Sequence, residues 1–315
     1  MTLPADPLTL PEPPAAARKK LFSAQENPVT LKELRGRMRG NRALIIITIY
    51  LVLLSCIVGF VYAGIASSTI SNVGARVLPQ VAGKSVFGVV VGIELLMVCF
   101  LAPALTAGAI AAERERQTLD LLRTTLLPAR SLVLGKLLSA MSFMLLLLFV
   151  GFPIQSLAFV FGGVSVPEVL ISFLLLLVTA LGFSALALLV SSLARTTLAA
   201  TVISYVAALL VVFGVPLVLL IGTSFFGSFF GQITMNMTPV QQTMYEIMAA
   251  CIIYLLVVLN PPATLVASEL MFTEMQEVFY GTTPLSNGSL FPIVSPWITY
   301  SLLVYTVVAV VGYFM

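Results

Sequence analysis

The chain has 315 residues, 59% hydrophobic and only 9% charged, with a formal net charge of +3. A soluble domain carries about 25% charged residues, so this composition is that of an integral membrane protein and excludes a large water-soluble catalytic domain. There is no histidine, and Cys56, Cys99 and Cys251 all fall inside apolar runs. That argues against a disulfide framework and a Cys/His zinc site, and the three read as small core hydrophobes.

In chain order, residues 1–26 are proline-rich and polar and lack a short apolar core with a cleavage site, which predicts a disordered cytoplasmic tail and no signal peptide. Asn27-Pro28 has the form of a helix start, an N-cap followed by proline at the first helical position. Over 27–42, Leu31, Leu34 and Met38 share one face, while Lys32, Arg35, Arg39 and Arg42 share another. This pattern predicts an amphipathic basic helix lying on a membrane surface.

The remainder, 43–315, reads as a transmembrane domain. Apolar runs at about 43–66, 86–112, 132–161, 169–193, 198–222 and 291–315 are each long enough to cross the ~30 Å hydrocarbon layer as helices. The expected fold is therefore an all-α integral membrane protein with six transmembrane helices, the interfacial helix in front of them. Of 16 Lys and Arg residues, eight precede the first run, five lie at Arg114, Arg116, Arg123, Arg130 and Lys136, and Arg195 lies between the fourth and fifth runs. Only Arg76 and Lys84 fall on the opposite side, which places the amino terminus and the 113–131 loop in the cytoplasm and 223–290 outside. Within that outer region, Ile247–Leu259 stops at Asn260-Pro261-Pro262 and is short for a span, so it reads as a re-entrant or interfacial element before the last helix. If it crosses, there are seven spans and the carboxyl terminus lies outside.

Between the second and third runs stands Ala-Ala-Glu113-Arg114-Glu115-Arg116-Gln-Thr-Leu119-Asp120-Leu-Leu-Arg123, followed by Pro128 and Gly135-Lys136. Taken by its residues it is a mixed-charge loop with a short helix, whose plain reading is a solvated face. Its order of Glu-x-Glu, Thr-Leu, a leucine pair, Pro and Gly-Lys resembles the segment after the second span in permeases of the type-2 exporter class of ATP-binding-cassette transporters. Asn-Pro-Val-Thr-Leu-Lys-Glu-Leu-Arg before the first run and Asn260-Pro261 before the last are similar to the same family. The last run lacks the basic tail such proteins often carry.

The resemblance implies a permease in a bacterial-type plasma membrane, paired as a homodimer or heterodimer and docked on a separate cytoplasmic ATPase. It implies an ATPase-coupling surface at Glu113, Arg114, Glu115, Arg116, Leu119, Asp120 and Arg123. It further implies that this chain is no enzyme and holds no cofactor, ATP and Mg being bound by the partner, and that it binds lipid bilayer and no nucleic acid. Gly83-Lys84-Ser85 has half of a phosphate-cradling loop, but Leu78 stands where the first glycine is required.

Glu94 is the one acid well inside an apolar run, and an intramembrane carboxylate marks a functional candidate. With Gln155 it forms the candidate substrate pathway, against the plainer reading of a carboxyl hydrogen-bonded to a neighbouring helix. Small residues at four-residue spacing, Ala104, Gly108 and Ala112 in the second run and Ala200, Ser204 and Ala208 in the fifth, predict close helix packing. Pro103, Pro153 and Pro216 predict kinks. Rival readings are an ion-driven secondary transporter, disfavoured by the single intramembrane acid and the lack of an inverted repeat, an intramembrane enzyme, for which no nucleophile or acid pair stands out, and a non-transporting scaffold with a permease-like fold.

Overall fold

The computed structural model describes residues 41–69, 78–118, 129–218, 220–222, 238–274, 278–285 and 288–314. The predicted tail and Lys32, Arg35 and Arg39 of the interfacial helix lie outside them, as do Leu119, Asp120 and Arg123. Arg42 falls in the first turn of the first helix, its side chain outside the described set.

The helices are α1 (Asn41–Thr69), α2 (Leu78–Thr106), the short α3 (Ala111–Glu115), α4 (Ala129–Phe161) and α5 (Val166–Leu193). Next comes α6 (Thr197–Leu209), which passes through a π turn at Leu210–Gly214 into helical residues 215–218 and 220–222. Then follow α7 (Pro239–Leu259), α8 (Pro261–Glu274) and, at the end, α9 (Pro296–Phe314). The runs form helices because they are long, apolar and free of interior breakers apart from the three prolines. Capping sharpens several ends. Ser165 and Glu168 form a capping box at α5, Thr238 and Gln241 another at α7, and the Thr196 hydroxyl accepts from the Ala199 amide at α6.

Among the described residues, seven helices are long and apolar enough to cross a membrane, and the chain is an all-α membrane protein. The extra candidate beyond the six expected runs is α7, because its capping box extends the apolar Ile247–Leu259 segment back to Pro239. One element was not foreseen. Strands β1 (Tyr280–Pro284) and β2 (Leu290–Val294) pair antiparallel, Tyr280 opposite Val294 and Pro284 opposite Leu290. The last run thus begins with a strand whose residues alternate in burial, and its helix starts only at Pro296, where proline suits the first turn.

The bundle is organised around α2 and α5. α2 packs against α4, α5, α1 and α6, while α5 also packs against α9, α4 and α6; α1 sits at the edge against α2 and α4. The larger core joins Phe87, Val91 and Leu95 of α2 to Leu176 and Phe183 of α5 and Val304 of α9. A smaller one joins Tyr50 and Leu54 of α1 to Val86 and Val90 of α2 and Phe143 and Leu147 of α4. Since lipid tails are as apolar as leucine, close packing of small groups holds such helices together. Ala200, Ser204 and Ala208 are accordingly the buried face of α6, whereas Ala104 of the second stripe is exposed. Cys99 is buried, but Cys56 and Cys251 lie on the outer surface of their helices.

α7 and α8 form a helical hairpin. Its tip, Asn260, reaches the carbonyls of Val211 and Val212 in α6. On the way in, the Tyr254 hydroxyl bonds to the Val294 carbonyl at 2.9 Å and to Thr299 near the start of α9 at 2.7 Å. On the way out, Ser172 of α5 donates to Glu269 of α8 at 3.2 Å.

Candidate functional site: a braced polar helix and a buried polar tripod

Three spans converge on α3. Ser191 Oγ, near the end of α5, accepts from the amides of Ile110 and Ala111, both at 3.0 Å, and so satisfies donors at the start of α3 that have no partner within that helix. Arg114 then reaches back along α5, Nη1 donating to the Ala194 carbonyl at 2.6 Å and Nη2 to the Ser192 carbonyl at 2.7 Å. Its positive charge sits where the carbonyl end of a helix favours it. Glu115 turns to α6, accepting from the Thr197 amide at 3.1 Å and the Thr197 hydroxyl at 2.8 Å. Glu113 faces α4, paired with Lys136 at 3.4 Å and accepting from the Thr118 hydroxyl at 2.6 Å. Lys136 also donates to the Ala109 carbonyl at 2.5 Å.

The charged motif therefore engages three different spans: Arg114 holds α5, Glu115 holds α6 and Glu113 holds α4. Arg116 and Gln117 are exposed, and Gln117 has a left-handed backbone (φ 56°) as the chain leaves the helix. Ser191, Ala194 and Thr197 are partners that sequence reasoning missed. The Thr196-Thr197 pair before an apolar run is a helix-start signal that could have pointed to one of them.

A second polar cluster lies inside the bundle. Glu94 of α2 is 1% exposed, and its carboxylate accepts from the Tyr50 hydroxyl of α1 at 3.1 Å and from the Gln155 amide of α4. Gln155 is also buried. Both predicted pathway residues thus meet, in the interior of the subunit, with Tyr50 as an unforeseen third member. Gly151, one turn before Gln155, makes room: a Cβ there would lie 2.6 Å from Tyr50 Oη and closer still to Glu94 Oε1. A cavity of about 10 Å³ lined by Glu94, Tyr50, Met97 and Met144 adjoins the tripod, about the space of one water molecule. Gly83-Lys84-Ser85 lies within α2, where a helical backbone cannot wrap a phosphate.

The family model described as ABC-2 family transporter protein matches residues 28–315. The chain belongs to the ABC-2 transporter family. Membership makes it a membrane component of an ATP-binding-cassette transporter and implies association with an ABC ATPase subunit. No curated protein matches the chain. For an ABC-2 family member the two clusters differ in what they can do. The braced helix ends in the exposed Glu115 and Arg116 and is tied to three spans, so it can receive a load. The tripod is enclosed, and in this conformation it holds α1 against α2 and α4.

One further acid in this ABC-2 family chain responds to pH. Glu269 of α8 is pushed up to about 7 by burial and by the Glu168 carboxylate, against the weaker pull of the Ser172 hydroxyl and the Lys84 ammonium. The folded chain then binds this proton more tightly than an unfolded one, whose carboxyl titrates near 4.5. The stability it contributes is full below that value and is lost as pH rises through about 7. The melting temperature in lipid nanodiscs is expected to fall between pH 5 and pH 8, with a flatter profile in Glu269→Gln. An equal slope in that variant would remove Glu269 as the cause.

Proposed function

We propose that the chain is the permease subunit of an ATP-driven exporter, working as a homodimer or heterodimer by alternating access. ATP and Mg are bound and hydrolysed in the separate cytoplasmic ATPase, and this chain performs no covalent chemistry. The observation that carries the reading is the bracing of α3. A stiff polar helix joined by side-chain hydrogen bonds or an ion pair to α4, α5 and α6 passes a push from a docked partner to three spans together, as a rigid-body transition requires. Arg116 is the exposed charge on which the ATPase docks.

In this reading the amino terminus is cytoplasmic, in a bacterial-type plasma membrane, and α7–α8 enters from outside and returns. Val211 lies 14 residues beyond Thr197, about 21 Å up α6, so the tip at Asn260 stops about two thirds of the way from the cytoplasmic side of a ~30 Å core. Six helices then cross, and the carboxyl terminus is cytoplasmic.

Co-purification with the ATPase, followed by hydrolysis measurements in lipid, tests the proposal. Arg116→Glu is expected to lose the partner at least tenfold. Glu115→Ala is expected to keep the partner and lose substrate-dependent stimulation of hydrolysis, because it severs only the tie from α3 to α6. A chain that purifies alone and moves solute on a proton gradient would replace this reading by the ion-driven one.

A further inference from the structure

In an α-helix the amide of residue i donates to the carbonyl of residue i−4. Pro216 has no amide hydrogen, so in α6 the carbonyl of Val212 loses its donor. In the wider π register, where the donor lies five residues on, the loss falls on Val211 instead. The helix is π-wound at Leu210–Gly214, ending one residue short of the proline, and Val212 is buried. No water replaces a missing donor in such surroundings, which makes an orphaned carbonyl costly.

Asn260 supplies what the proline withholds. Its side chain is fully buried, and Nδ2 donates to the Val211 carbonyl at 2.6 Å and to the Val212 carbonyl at 3.0 Å. Those are the two carbonyls that Pro216 leaves open in the two registers. Meanwhile Oδ1 accepts from the Ala263 amide at 2.8 Å and caps α8. One side chain thus holds the hairpin tip to α6 and starts the return helix.

We propose that Asn260 is a positioning residue that sets the register of the outer part of α6, so that residues 215–218 and 220–222 and the tip of the α7–α8 hairpin move as one body hinged at the π turn. On the transport reading above, on which this consequence rests, that body is the outer gate. The matched loss and supply of donors distinguishes this from a simple proline kink. Without Asn260 the π turn relaxes, and a one-residue change of register turns the helix beyond it by about 100°.

The test uses the full chain in nanodiscs, with the exposed Cys56 and Cys251 replaced by serine. Asn260→Asp keeps the cap on α8 and, in its ionised form, has no donor, Asn260→Ala loses both, and Pro216→Ala returns a backbone donor. Single cysteines at Leu217, Val218, Leu220 and Ile221, all outward-facing, are labelled with a lipid-soluble maleimide, and melting is recorded. Asn260→Asp is expected to melt lower, by on the order of 5 °C, and to shift the labelling pattern by one position. Adding Pro216→Ala is expected to restore both. Wild-type behaviour of Asn260→Asp, a defect confined to Asn260→Ala, or additive defects in the double variant would each overturn the proposal. If Asn260→Asp does not accumulate, the double variant decides, since the proposal requires it to accumulate. In the ATPase complex, labelling of single cysteines at Val218 and at the exposed Leu259 beside the hairpin tip, with Asn260 and Pro216 intact, is expected to change together when ATP and Mg are added, and a change at one alone would overturn the single-body motion. No change at either, with rescue intact, would sink the ATP-driven reading and leave the clasp standing.

Discussion

Replacing Gly151 by alanine is expected to destabilise the bundle by about 1–3 kcal/mol, the range for forcing a methyl group into a packed core. The added Cβ would sit 2.6 Å from the Tyr50 hydroxyl and within closer contact of Glu94 Oε1. Neither atom can yield cheaply. Moving the carboxylate breaks its bond from Tyr50 or from Gln155, and each group so orphaned is buried in an apolar bundle. Because Tyr50 and Leu54 are the buried contacts of α1 among the described residues, the strain should appear first as exchange and proteolysis at α1. Glu94→Ala in the same chain frees the space, so the double variant is expected to fall well short of the sum of the two single effects. Strict additivity, measured by thermal unfolding in nanodiscs, would show that the crowding is absent.

The second large effect is expected at Arg114. Alanine removes two charge-assisted bonds, at 2.6 and 2.7 Å, to carbonyls at the end of α5. Such bonds contribute about 1.5–3 kcal/mol each when protected. With Arg114 only half-buried, a joint loss of about 2 kcal/mol is the better figure after solvent screening. Amide exchange across 190–197 should quicken by about thirtyfold, the equivalent of that free energy at 1.4 kcal/mol per decade. Lysine keeps the charge without the forked geometry and should recover part of the protection. In the ATPase complex, Arg114→Ala is expected to retain basal hydrolysis and lose coupling, since α3 would no longer be tied to α5. If exchange at 190–197 is unchanged, the brace is not a mechanical tie.

Much of the fold was legible in local sequence. Five helices occupy the first five apolar runs, and Pro28 through Met315 carry the family's pattern. Two features escaped that reading for definite reasons. The β1–β2 hairpin borrows the start of an apolar run, and mean hydropathy over a window cannot tell a strand's alternation from a helix's stripe. α7 gained length because Thr238 and Gln241 cap it well ahead of the apolar segment. At the sites, Glu94 and Glu113 to Arg116 were visible as charges out of place, but their partners were not. Tyr50, Gly151 and Ser191 are ordinary residues of apolar helices until the bundle brings them into contact.

From sequence alone came the membrane class and the apolar runs, since each depends on composition within a stretch about as long as the bilayer is thick. Only the tertiary structure decided that Glu94 meets Tyr50 and Gln155, that Arg114 closes on α5, and that Asn260 answers Pro216. These pairs lie 44 to 80 residues apart in the chain. Their meeting rests on the cost of leaving a buried charged or amide group unpaired among lipid-facing helices, and the partners that lower that cost are found in space and leave no periodic trace along the chain.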